Sequence, residues 1–191
     1  MVVDHDRTVE HLGVAHRAKD ARWSLMLAGI DAVPALKRGL SHPNPRVREA
    51  CCVVLDHHLE PDCIPDLIAN LHHDDAGVRG WALHALACDR CKEGSCRPGE
   101  SDTVPIAVRM MLEDPDASVR ARAIGLVGEA VHRHPAAVDA LERALDKEPA
   151  AGNRKIIRWW LPGGPRYERT KPKPTRARSE LRERRERAGW T

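Results

Sequence analysis

Phenylalanine is missing from this 191-residue chain, tyrosine occurs once, and aromatic residues together make up only 3%. That poverty speaks against a β-sandwich, whose facing sheets are filled by large β-formers. The core has to be assembled from Leu, Val, Ile, Ala and Cys, side chains that let helices approach closely. No run approaches the ~20 apolar residues that a membrane-crossing helix needs. The start, M-V-V-D-H-D-R-T, has acids where a secretory leader would be basic. The expectation is therefore a cytoplasmic protein without a membrane partner. There is also no phosphate loop, cofactor fingerprint or nucleophile–base constellation, which points away from an enzyme. Six cysteines in such a chain are expected to be reduced, buried or metal-bound rather than paired in disulfides.

Charged residues are plentiful at 31%, and the formal net charge is +3. The distribution carries more than the total. Residues 152–191 hold 13 Lys/Arg against 4 Asp/Glu, whereas the first 151 residues hold 18 against 24. An acidic body is thus followed by a basic tail.

Helical periodicity runs through the body. Val9 and Leu12, with Ala15 or His16, give a weak pattern that could cap the first apolar face, and A-R-W-S-L-M-L-A-G-I reads as a short helix ended near Gly29. Then comes an alternation of two helix types. Val33, Leu36 and Leu40 line a first helix. In the next, Asn44 stands at the N-cap and Pro45 at the first helical position, ahead of an apolar face of Val47, Ala50, Cys51, Val54 and Leu55. The second pair places Ile64, Leu67, Ile68 and Leu71 on one helix. After the Asp75 cap, Val78, Trp81, Ala82, Ala85 and Leu86 face inward on the other. The third pair has Val104, Val108, Met111 and Leu112, then Asp116 as cap and Val119, Ala123, Leu126, Val127 and Ala130. A degenerate fourth has Val138, Leu141 and Leu145, followed by N-R-K-I-I-R-W-W.

The registers agree by subtraction. Arg48 to Arg79 and Pro34 to Pro65 are both 31 residues, Arg79 to Arg120 is 41, and Arg120 to Arg154 is 34. The ten extra residues of the longer interval fall in the cysteine-rich loop. A period of this size is the mark of a solenoid, in which each helix pair buries its stripe only against its neighbours.

An apolar-Pro helix, then Asn/Asp-x-x-Val-Arg, then an alanine-rich helix resembles the HEAT repeat, in particular the short bacterial HEAT-like kind, over about residues 20–160. The resemblance implies an all-α, right-handed α-α superhelix of about four helix pairs. It further implies a ladder between successive repeats, built from Asn44, Asp75 and Asp116 with Arg48, Arg79 and Arg120. The last repeat departs from the pattern, with Asn153 where Val is expected. The domain reading is a repeat domain over 1–162, with the cysteine-rich loop at 88–101, and a basic, flexible tail over 163–191.

Cys88-x2-Cys91-x4-Cys96 has metal-ligand spacing, and His84, one helical turn before Cys88, is the candidate fourth ligand. The expected cofactor is a structural zinc ion that stiffens the inserted loop. Two other readings stay open, namely unconnected thiols and a redox Cys-x-x-Cys, although the thioredoxin-like strand-to-helix turn of the latter is missing. Cys63 is an alternative ligand. Most histidines, including His57, His58, His72, His73, His132 and His134, fall at helix ends, where an imidazole meets free carbonyls. Trp81 reads as core filling, and Trp159 and Trp160 as a cap on the last repeat.

After L-P-G-G-P no helix continues. Thr175–Ala188 reads as a helix supported by Glu180–Arg184 and Glu183–Arg187 pairs, with Leu181 its one large apolar residue. The basic residues Arg154, Lys155, Arg158, Arg166, Arg169, Lys171, Lys173, Arg176, Arg178, Arg182, Arg184, Arg185 and Arg187 are candidate contacts for nucleic acid or an acidic partner. Interleaved glutamates weaken that case.

Three functions stand side by side. The first is a non-enzymatic binding scaffold for a protein partner, and the second a nucleic-acid- or ribosome-associated protein acting through its tail. The third follows from the resemblance alone, since some HEAT-like proteins are DNA glycosylases and others bilin lyases; the acidic body fits a glycosylase poorly. Nothing in the pattern sets an oligomeric state.

Overall fold

The structure is a computed structural model that describes residues 4–88 and 99–172, all of it helix, turn or loop. The helices are α1 (His5–His11), α2 (Ala18–Ala28), α3 (Val33–Gly39), α4 (Pro45–Leu55), α5 (Ile64–Asn70), α6 (Ala76–Ala87), α7 (Glu100–Glu113), α8 (Ala117–Glu129), α9 (Ala136–Lys147), α10 (Ala151–Trp160) and α11 (Pro165–Thr170). Short 3-10 turns at Gly29–Ala32 and Pro61–Cys63 lead into α3 and α5.

The pairs α3/α4, α5/α6, α7/α8 and α9/α10 stack in sequence, so that α4 lies on α6, α6 on α8 and α8 on α10. This is a HEAT-like solenoid. Its starts are local chemistry. The side chain of Asn44 accepts from the Arg46 N–H at 3.0 Å, Asp75 from Val78 at 3.0 Å, and Asp116 from Ser118 at 2.8 Å. These bonds satisfy donors that the first turn leaves without intrahelical partners. Ala150, at the start of α10, has no such side chain.

One continuous core runs the length of the array. Leu25, Leu36, Leu55, Leu67, Leu83, Met111, Ile124, Leu141 and Trp160 are fully buried within it. Each such side chain removed from water contributes about 1.5–3 kcal/mol. Trp160 is accommodated because Gly128 on α8 has no side chain: a Cβ there would collide with the indole ring.

Several inward assignments change. Ile68 is 41% exposed, and Asn70 is buried in its place. Asn70 earns the interior position through hydrogen bonds to the Leu40 and Asp66 carbonyls at 3.0 and 2.8 Å, which a buried amide requires. Trp81 is half-buried rather than core, with one side against the cluster. Ala15 and His16 are exposed, while Val9 and Leu12 are buried. Helix α7 begins at Glu100 and contains Pro105 in its interior.

The expected boundary between residues 162 and 163 falls before a packed segment. Helix α11 contacts α10, His132 Nε2 bonds the Tyr167 carbonyl at 2.9 Å, and Gly164 is buried against the Arg158 and Trp159 carbonyls. The helix expected at Thr175–Ala188 lies outside the described residues.

Candidate functional site

The repeat arginines occupy equivalent places. Arg79 Nη1 donates to the carbonyls of His73 and Asp74, Arg120 Nη1 to those of Asp114 and Pro115, and Arg154 Nη1 to those of Glu148 and Pro149. Arg48 likewise reaches back to His42 and Ser41. Arg154 is therefore engaged in the repeat as the earlier arginines are.

Their cross-repeat acceptors differ from the expected set. Arg79 holds Asp114 with Nε at 2.8 Å and Nη2 at 2.9 Å, and Arg120 holds Glu148 at the same two distances. Arg48 donates to Asn70 at 3.2 Å. Asn44, Asp75 and Asp116 cap their own helices instead, because a cap side chain is turned toward its own N–H groups. Asp114 and Glu148 also accept from the backbone N–H two residues on, at Asp116 and Ala150. His42 and His73 fill that position in the earlier repeats, accepting from the Asn44 and Asp75 N–H groups at 3.0 Å. The Arg120 guanidinium holds the Glu148 carboxyl at a pKa of about 2. Hydrogen bonds from Ser118 likewise lower the pKa of Asp116.

At the C-terminal ends of α4 and α6 a different cluster forms. His84, in the last turn of α6, sits with Nε2 3.4 Å from Oδ2 of Asp56, the C-cap residue of α4. Cys88, the C-cap of α6, is buried beside them, and the ligand atoms of Asp56, His84 and Cys88 all lie within 4.8 Å of one another. The structure thus brings His84 and Cys88 together and adds Asp56, which the sequence reading missed because an acid at a helix end looks solvated. Cys91 and Cys96 lie outside the described residues. Cys63 is not in the cluster. Burial raises the thiol pKa of Cys51 to about 12 and of Cys63 to about 11, so both stay protonated at neutral pH.

The cluster continues onto α8. Trp81 meets His84 edge-on at 5.3 Å, and the Arg122 guanidinium lies 4.2 Å above the Trp81 ring. That ring face is therefore covered and not open for stacking on a base. Burial lowers the Arg122 pKa, opposed by the fields of Glu49 and Asp56.

Two surfaces face outward. On α2 and the turn after it, Trp23, Leu27 and Ile30 are 66%, 72% and 64% exposed, and they lie opposite the buried Ala21 and Leu25. At the other end of the array, Lys155 and Arg166 lie 5.5 Å from the Trp159 ring, and Arg158 and Arg169 are exposed. Lys171 is paired with Glu168 at 2.6 Å. Lys173, Arg176, Arg178, Arg182, Arg184, Arg185 and Arg187 lie outside the described residues.

Residues 7–87 match the family of HEAT repeats. Residues 7–87 therefore carry HEAT repeats. The matched stretch covers α1 to α6, the part that contains the exposed α2 stripe, Asp56 and His84. The comparison with curated proteins gives no match. HEAT arrays serve as helical-repeat scaffolds for protein interaction, each pair adding surface to the next. No helix among the described residues is long and apolar enough to cross a membrane.

Proposed function

We propose that this chain is a non-enzymatic module that holds a protein partner through an apolar helix face. The observation that carries the reading is the stripe of Trp23, Leu27 and Ile30, three large side chains at least 64% exposed. They recur at i, i+4 and i+7, the spacing that matches one apolar face of a single partner helix. Contiguous exposed apolar surface of this kind marks interaction sites. In the same reading a zinc ion, held by His84 and Cys88 with Cys91 and Cys96 of the inserted loop, keeps that loop in one shape beside the array.

The test is affinity capture with the full chain and with a Trp23→Glu/Leu27→Glu variant, followed by nuclease and a salt wash. Proteins retained by the wild type through both treatments, and lost with the variant, support the reading. Equal retention by both chains would refute it, as would a wild type that self-associates through the stripe and binds nothing else.

The second reading places RNA, DNA or ribosomes on the basic end. The exposed Arg158 and Arg169, and the cations around Trp159, favour it. Nucleic acid bound in a salt-dependent way, and lost on removal of residues 173–191, would move it to first place.

A further inference from the structure

We propose that Asp56 is a metal ligand, and that the ion clamps α4 to α6 through Asp56, His84 and Cys88. This rests on the zinc reading above, with Asp56 taking the place of one of the two loop cysteines in the four-ligand shell, and changes what the ion does: it ties one repeat to the next rather than only stiffening an inserted loop.

Three observations converge. First, the donors come from both helices and are already gathered. Bonds of about 2.0–2.3 Å at tetrahedral angles put neighbouring ligand atoms about 3.3–3.8 Å apart. The His84 Nε2 to Asp56 Oδ2 separation of 3.4 Å is such an edge, and no pair of the three ligand atoms exceeds 4.8 Å. Small side-chain adjustments bring all three onto one ion.

Second, the place favours a cation. The Asp56 side chain is 3% exposed and sits at the C-terminal end of α4, where the helix dipole is negative. Carboxylate and dipole both contribute negative potential there, and a divalent ion answers both. Third, the two ends of α6's contribution are fixed relative to each other. The Cys88 N–H donates to the His84 carbonyl at 2.9 Å, and the His84 ring is braced edge-on by Trp81.

One carboxylate oxygen, one imidazole nitrogen and one thiolate sulfur form a mixed set suited to Zn2+, and to Co2+ as its spectroscopic substitute. The magnesium-type ions, which take oxygen ligands, are disfavoured by the sulfur. On binding, the Cys88 thiol proton is released to solvent and Sγ bonds the ion.

The experiment titrates Co2+ and then Zn2+ into the full chain, in wild type, Asp56→Asn, Asp56→Cys and Cys91→Ser. The wild type is expected to take up one Co2+ with visible bands and a near-ultraviolet thiolate-to-metal band. Asp56→Asn should bind at least about 100-fold more weakly, beyond the usual outer-shell loss of 10–100-fold, with helical circular dichroism retained. Asp56→Cys should keep the ion and intensify the thiolate band, because a sulfur replaces an oxygen on the metal. That gain decides the matter even if Asp56→Asn fails to fold. Wild-type affinity and spectrum in both Asp56 variants, with loss in Cys91→Ser, would overturn the clamp and leave the loop zinc standing. No metal bound by the wild type would overturn both.

Discussion

The ion pair between Arg120 and Glu148 makes a prediction that can be followed across pH. The carboxyl is nearly sealed, with its side chain 2% exposed, and it accepts Arg120 Nε and Nη2 and the Ala150 N–H, each within 2.9 Å. These bonds favour the ionised form and lower the pKa from 4.5 to about 2. At about 1.4 kcal/mol per tenfold in proton affinity, the depression is worth about 3 kcal/mol of folding free energy. Because the folded pKa is the lower one, that contribution is complete above pH 4.5 and is lost as pH falls from there toward about 2. Glu148→Gln keeps the shape and removes the charge. Urea unfolding, chosen because guanidinium would screen the pair, should show the variant about 3 kcal/mol less stable at pH 7. The gap should shrink steadily below pH 4.5 and nearly close by pH 2. A gap under about 1 kcal/mol at pH 7, as for an exposed pair, or one of equal size at pH 7 and pH 2.5, would refute the reasoning.

Asp114→Ala should cost about 3–5 kcal/mol in the same assay, because it strands the Arg79 guanidinium in a nearly buried site; replacing Arg79 and Asp114 together by Met and Leu should cost less. Gly128→Ala should destabilise by about 1–3 kcal/mol through overpacking and should shift the tryptophan emission, since the new Cβ meets the Trp160 ring. A chain ending at Pro172 should melt with the full-length protein. One ending at Pro162 should melt lower and with red-shifted tryptophan emission, having lost the Tyr167 carbonyl that His132 bonds and the Arg166 guanidinium over Trp159 and Trp160.

What could be read from the sequence was what is decided within a few residues. Asn44, Asp75 and Asp116 are legible as caps because a cap bonds an N–H two or three positions away. The Leu and Val stripes are legible because a helix face repeats every three to four residues. Ile68 is placed inward by the same rule, since it neighbours Leu67 on the helix, but Asn70 goes in instead because its amide reaches the carbonyl of Leu40, from the previous pair. Asp114 and Glu148 escaped notice because their arginines arrive from 35 and 28 residues away. A signal was nevertheless present: His42, His73, Asp114 and Glu148 each stand six residues before a repeat arginine. All four accept from the backbone N–H two residues on. Asp56 had no such register to betray it.

The ties between successive pairs are not distributed at random along the helices. Near the starts of α4, α6 and α8 stand Arg48, Arg79 and Arg120, reaching Asn70, Asp114 and Glu148 of the following pair. Toward the later turns the contacts become individual. Asp56, His84 and Cys88 join α4 to α6, and Arg122 over Trp81 joins α6 to α8. Trp160 fitted onto Gly128 joins α8 to α10. In a one-dimensional array each interface must be stable by itself, because distant repeats lend it nothing. A repeated device near the helix starts sets a common spacing, and a distinct device further along each helix lets each interface meet its own local demand. The interval between the second and third repeat arginines is the one lengthened by the insertion, which begins where α6 ends. Cys88 stands at the base of that insertion, so the proposed metal clamp would anchor the point where the inserted loop leaves α6 to the end of α4 in the pair before it.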